Sequence, residues 1–182
     1  MAVWRLSSTG AGGILRRLTD FYQMAPNMTV KITPNGTRGF KAPRGFRPLA
    51  RLHARIYKLV GGRGHGNMVV LTTLGSSSGL ERSSTVASFP EGKGTWLVVA
   101  SMGGEARHPS WYVNLAKNPD RVFLQVRGER FRVRPASLHG ADRAAAWKRI
   151  TSEAPNFAEY QTKTDREIPV VRLARDSQVA TS

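Results

Sequence analysis

Residues 122–134 read VFLQVRGERFRVR. Val122, Leu124 and Val126 fall at every second position, Gly128 turns the chain, and Phe131 and Val133 alternate with Arg130, Arg132 and Arg134. Apolar patterning with a period of two on both sides of a glycine predicts two antiparallel strands joined by a hairpin, one face buried and one in water. Working outward, the same signal recurs. Met68–Leu74 (MVVLTTL) predicts a nearly continuous buried strand, residues 82–89 a second, and residues 95–101 (TWLVVAS) a third after a turn over residues 90–94. Residues 168–173 predict a closing strand. Helices are expected over residues 109–118, stopped by Pro119, over residues 142–153, and over a shorter stretch at 156–164. The helix after the third strand is too short for a good parallel crossover. About six strands in meander-like order with inserted helices therefore predict a mainly β (α+β) domain built as an antiparallel barrel.

The chain has 182 residues, 40% of them hydrophobic, with four Trp and seven Phe, which suits one packed domain with an appendage. There is no cysteine, so disulfides, thiolate metal sites and Cys nucleophiles are excluded, as suits a reducing cytoplasm. No apolar run approaches the roughly 18 residues of a membrane span, and the basic first 25 residues lack the apolar core of a secretory signal. The net charge of +16 is uneven: residues 1–66 hold twelve Lys/Arg against Asp20 alone, or +11, leaving +5 for residues 67–182. Specific nucleic-acid binding wants a basic face on the folded body. A basic leader suits an anionic membrane surface at least as well.

Residues 1–48 read as that leader. Ile14, Leu15, Leu18, Phe21 and Tyr22, interleaved with Arg16 and Arg17, predict a short amphipathic helix, although Met24 and Met28 offer alternative starts that would remove it. Residues 33–48, rich in Gly, Pro, Arg and Lys, read as an irregular linker. Leu49, Leu52, Ile56 and Leu59 then predict a helix ended by Gly61-Gly62. The expected organisation is an extension over 1–48, a cofactor-binding barrel over 49–175 and a flexible tail over 176–182.

Two stretches carry chemistry. The loop Gly75-Ser76-Ser77-Ser78-Gly79 leaves a strand with small hydroxyls and backbone amides suited to phosphate oxygens, and Arg82 could add a charge-assisted contact. Taken alone, such a turn is also an ordinary hairpin connection. The second is Ser101-Met102-Gly103-Gly104, followed by His108-Pro109-Ser110-Trp111-Tyr112-Val113-Asn114-Leu115. Its paired glycines let a flat ring approach the backbone, and Pro109 opens a helix. Trp111 and Leu115 can equally be core, whereas packing explains Asn114 less easily. The four histidines lack metal-ligand spacing, and no nucleophile elbow occurs. Any chemistry must then come from a bound cofactor.

The runs LTTLGSSSG, VVASMGG, HPSWYVNLAKNP and NFAEYQTKTDREIPVVRL resemble the deazaflavin-dependent nitroreductase and quinone reductase family across about residues 56–173. The resemblance implies a split β-barrel of the flavin-reductase type that uses coenzyme F420. The implied reaction is hydride transfer from the reduced deazaflavin to a quinone or nitro-type acceptor. Some members associate with membranes, which implies a peripheral position on the inner face of the cell membrane. Residue by residue, Ser76, Ser77, Ser78 and Arg82 match the segment holding the coenzyme's phosphate and tail. Val99, Ala100, Ser101, Met102 and Gly103 match the backbone facing the ring, with Ser101 near its reactive face. Trp111, Tyr112 and Asn114 match a further wall, and Phe157 and Tyr160 match the substrate side, with Tyr160 orienting the acceptor or relaying a proton. The sequence departs from the family where Ser76 and Ser77 replace an Arg-Lys pair, where Met102 replaces a common Lys, and where Ala154 replaces an aromatic. The alternative is a split barrel that binds FMN or an apolar ligand, or that has lost catalysis. A third reading is a basic surface protein with no redox role.

Overall fold

The computed structural model describes residues 30–41 and 67–176. Six strands form in chain order: β1 (Met68–Leu74), β2 (Glu81–Pro90), β3 (Thr95–Val99), β4 (Phe123–Val126), β5 (Glu129–Ser137) and β6 (Val170–Arg175). Three helices intervene: α1 (Ser110–Lys117), α2 (Gly140–Glu153) and α3 (Asn156–Thr162). All neighbouring strands pair antiparallel and close into a barrel in the order β1-β2-β3-β6-β5-β4. The expected barrel is present, but its order is not a simple meander. Two three-strand meanders are joined so that β3 meets β6 and β4 returns beside β1. The reason is α1, which carries the chain from the end of β3 back to the β1 side, where it packs on β1 and β2.

The predicted hairpin is a two-residue turn in which Val126 pairs with Glu129, and both central residues take positive φ, Arg127 at 49° and Gly128 at 92°. That pair of angles matches the right-handed twist of the flanking strands. β5 runs on to Ser137, past the point where its alternation fades, because β6 supplies partners for Val133 through Ser137. The third strand stops at Val99 rather than at residue 101, since the chain there enters a turn that no strand can follow.

Two apolar clusters share β3 and β6. Val98, Ala100, Val171 and Leu173 face the barrel interior with Val69, Leu71, Leu124 and Val133, beneath Trp111, Tyr112 and Leu115 of α1. Leu97, Val99 and Val170 face outward and are covered by Ala146, Ile150 and Phe157 of α2 and α3. Successive residues of a strand point to opposite faces, so a strand buried on both sides reads as an unbroken apolar run. This is why WLVV and PVV lack alternation.

The arginines of the barrel body are largely neutralised. Arg130 pairs with Glu81, Arg132 and Arg134 with Asp176, Arg172 with Glu91, and Arg175 with Glu129. The exposed pairs contribute at most about 1 kcal/mol each, whereas the Asp176 carboxylate that takes Arg132 and Arg134 is buried. Asp176, the first residue of the expected flexible tail, is pinned: its N–H donates to Arg132 O at 3.0 Å.

Of the expected extension, residues 30–41 are described; they form no helix or strand, yet they are bound to the barrel. Val30 lies in the interior cluster, and Tyr112 Oη donates to Lys31 O at 2.9 Å. The amides of Gly36 and Phe40 donate to Ala106 O and Gly104 O. This segment is a strap across the turn that follows β3. The expected helices at residues 14–22 and 49–59 lie outside the described residues.

Candidate functional site

At the end of β1, Gly75 N–H bonds Leu80 O and Gly79 N–H bonds Gly75 O, both at 2.9 Å, with Gly79 at φ +64°. Asn114 holds this loop from α1. Its Oδ1 accepts Ser76 N–H at 2.9 Å, and its Nδ2 donates to Thr73 Oγ1 at 3.2 Å. Buried and doubly bonded, Asn114 positions the serine loop. Ser77 and Ser78 are exposed, and Arg82 Nη2 reaches to within 3.5 Å of Ser78 Oγ.

After β3 the chain takes positive φ at Met102 (50°), Gly103 (64°) and Gly104 (85°). Gly104 N–H bonds Ser101 O, and Glu105 N–H bonds Met102 O. Ala100 has both backbone groups engaged, by Pro169 O and by Arg166, and Val99 is paired in the sheet with Val170. Among the described residues, the amides of Ser101, Met102 and Gly103 donate to no partner. A Cβ at Gly103 would meet nothing within 4 Å, so this stretch of backbone is open. At Gly104 a Cβ would lie 2.6 Å from Tyr160 O, so α3 is seated directly on the turn.

Thus the turn that carries Ser101, Met102 and Gly103 lies against the helix that carries Tyr160. Phe157 lies beneath Tyr160, edge-on to it and to Phe89 at 5.7 Å in each case. Trp111 and Tyr112 are buried in the barrel interior, edge-on to each other at 6.1 Å. Tyr112 reaches the site through the strap it holds. Tyr160 is half-buried, and its hydroxyl has no hydrogen-bond partner among the described residues.

Arg166 was not distinguished by the sequence. Buried beneath the turn, its Nε donates to Glu105 O at 2.8 Å, and its Nη2 donates to Ala100 O at 3.1 Å and Ser101 O at 2.9 Å. Its Nη1 faces His108 Nδ1 at 3.3 Å. Nothing local marks this arginine among its neighbours in TDREIPVV. The strap was equally unmarked, because a Gly/Pro-rich basic stretch looks the same whether docked or free.

His108 joins strap and turn. Its Nε2 faces Thr33 O at 2.8 Å and its N–H donates to Asn35 Oδ1 at 3.2 Å. The carbonyl requires a donor at Nε2 and the guanidinium requires an acceptor at Nδ1, which selects the neutral Nε2–H tautomer. Burial lowers its pKa below 6.5, with the Arg166 charge adding to the effect and the Thr33 and Pro34 backbone opposing it. Asp165 closes the same clasp: its carboxylate accepts both amides of Thr37 and Arg38 and the Thr37 hydroxyl. The Thr37 hydroxyl, then the Arg38 amide, hold its pKa at about 2.

These two groups titrate in separate windows. A lowered histidine pKa means the unfolded chain takes a proton first. The His108 contribution is therefore complete above pH 6.5 and lost as pH falls below it. The Asp165 contribution is complete above pH 3.8 and is lost as pH falls from there through about 2. Urea midpoints should decline as pH falls below 6.5, and His108→Gln should flatten that decline. An equal slope in the variant would assign the effect elsewhere.

The sequence pattern of the family described as F420H(2)-dependent quinone reductase matches residues 49–175. This chain belongs to that family. An F420H(2)-dependent quinone reductase of Mycobacterium tuberculosis is 37% identical over 136 residues, covering 70% of this chain and 90% of that protein. Among solved structures, an F420-H2 dependent reductase is 39% identical with a TM-score of 0.53, covering 59% of this chain and 93% of that one. A second, described as a domain-swapped dimer, is 32% identical with a TM-score of 0.55, covering 69% and 98%. Within the family, then, the barrel carries an open glycine turn, a stapled serine loop and a helix seated on the turn. No helix among the described residues is long and apolar enough to cross a membrane.

Proposed function

We propose that this chain is an oxidoreductase that passes a hydride from reduced coenzyme F420 to a quinone-type acceptor, with nitro compounds as a related class. The observation that carries the reading is the turn at Ser101–Met102–Gly103. There, three backbone donors without described partners and an open glycine face lie beside Tyr160. A flat, carbonyl-bearing ring needs close backbone approach and in-plane N–H donors, and this turn fits it. Ser77, Ser78 and Arg82 fit the anionic end. When bound, the reduced deazaflavin supplies the hydride.

The remaining chemistry belongs to the chain. The amides of Ser101, Met102 and Gly103 would hold and orient the ring, with the Ser101 hydroxyl on the same turn. Tyr160 orients the acceptor and lends its hydroxyl to the proton that follows the hydride. Val99, Ala100, Trp111, Tyr112, Asn114 and Phe157 act from behind, by holding these groups in place.

Fluorescence titration tests the reading. Arg82 is exposed and forms no ion pair among the described residues, so Arg82→Ala should leave the urea midpoint unchanged. It should weaken F420 binding by about tenfold, the order expected for one charge-assisted hydrogen bond. Ser76→Arg with Ser77→Lys should tighten it. Tight FMN binding with no F420 binding would overturn the assignment in favour of a different flavin.

The charge of +11 over residues 1–66, the leader and the stretch after it, supports a second part of the proposal: attachment to anionic bilayers, near lipid-soluble quinones. Full-length protein should co-sediment with anionic liposomes at low salt and be released at high salt. Protein that stays in solution at low salt would remove the membrane from this reading.

A further inference from the structure

Two elements converge on the outer side of the open turn. The strap brings Phe40, whose N–H donates to Gly104 O at 2.8 Å and which is 48% exposed. Helix α3 brings Tyr160. The residue capping that helix, Lys163, is pressed against the turn: its Cβ lies 2.8 Å from where a Cβ would stand on Gly104. Lys163 Nζ sits 6.0 Å from the Phe40 ring centroid and 5.3 Å from that of Tyr160.

Two aromatic faces hold this ammonium by their quadrupoles, and no carboxylate among the described residues pairs with it. Several arginines of the barrel, by contrast, are held by acids. An exposed aromatic ring is costly to leave in water without use, and an ammonium between two rings keeps its donors for a third party.

We infer that Phe40, Lys163 and Tyr160 form the acceptor-binding face, and that Lys163 selects flat acceptors that carry or develop negative charge. The inference rests on the function proposed above. Hydride addition puts two electrons and one hydrogen on the quinone, giving a hydroquinone monoanion that then takes one proton, relayed from water through the Tyr160 hydroxyl. Lys163 stabilises that anion before the proton arrives, while Phe40 supplies the flat apolar surface on which the ring lies. The same ammonium attracts an acceptor that already bears an acidic group.

The test separates cofactor from acceptor. Deazaflavin affinity is measured by fluorescence, and kcat/KM is measured with a neutral naphthoquinone and with one bearing a sulfonate. Lys163→Met should leave deazaflavin affinity within about twofold and lower kcat/KM for the sulfonated acceptor by about tenfold more than for the neutral one. Lys163→Arg should restore most of the difference. Phe40→Ala should raise KM for both acceptors. Equal losses for the two acceptors, or a Lys163→Met variant that loses cofactor affinity instead, would overturn the assignment. If the wild-type chain fails to bind reduced F420, the proposed function fails first, and the acceptor comparison does not enter.

Discussion

Arg166→Met is expected to be the most damaging single substitution in the described part of the chain. It removes every bond the guanidinium makes to Ala100 O, Ser101 O, Glu105 O and His108 Nδ1 in a buried position. Hydrogen bonds from a charged donor contribute about 1.5–3 kcal/mol each, and buried acceptors left alone cost a similar amount. Part of that is recovered because burial had opposed the charge of Arg166, lowering its pKa. A net loss of about 3 kcal/mol is expected from these opposing terms, together with at least about tenfold weaker deazaflavin binding as the open amides lose their orientation. Arg166→Lys keeps the charge but not the planar fork that spans separate carbonyls, so it should recover little of either. Urea unfolding and fluorescence titration measure the two effects. A loss below about 1 kcal/mol would mean that water replaces the guanidinium beneath the turn.

Gly104→Ala is expected to rank second, for a different reason. Gly104 holds φ at +85°, where an L-residue costs about 1–2 kcal/mol. Its new Cβ would lie 2.6 Å from Tyr160 O, a backbone atom that can yield only if α3 moves. Together these should cost about 3 kcal/mol. Because α3 carries Tyr160, acceptor reduction should fall more than cofactor affinity. Gly103→Ala is the control. It shares a positive φ of 64°, but its Cβ would point into open space. It should cost only about 1–2 kcal/mol of stability while blocking the face proposed for the ring. If the two alanines behave alike, the distinction between an open glycine and a seated one is wrong.

Much of the barrel was legible in the chain. Met68–Leu74 was readable to the residue because its long apolar run is bounded by Gly66 and Gly75. The β4–β5 hairpin was readable from period-two alternation around Gly128. Two glycine-bearing turns stood out as places where a cofactor's backbone contacts could form, and the resemblance named the cofactor. These are local properties: side-chain alternation, backbone freedom at glycine, and the missing N–H of proline act within a few residues.

What only the tertiary structure decided is which of many similar residues matter. Asn114 proved to be the staple of the serine loop, across 38 residues of chain to Ser76. Arg166 became the support of the Ser101 turn, reaching carbonyls and a histidine 58 to 66 residues away. The strap over residues 30–41 looked like linker, yet it binds His108, Gly104 and Asp165 and delivers Phe40 to Lys163. A hydrogen bond depends on distance in space and not on separation along the chain. An arginine at the surface and one beneath a turn are the same letter until the fold has brought their acceptors to them.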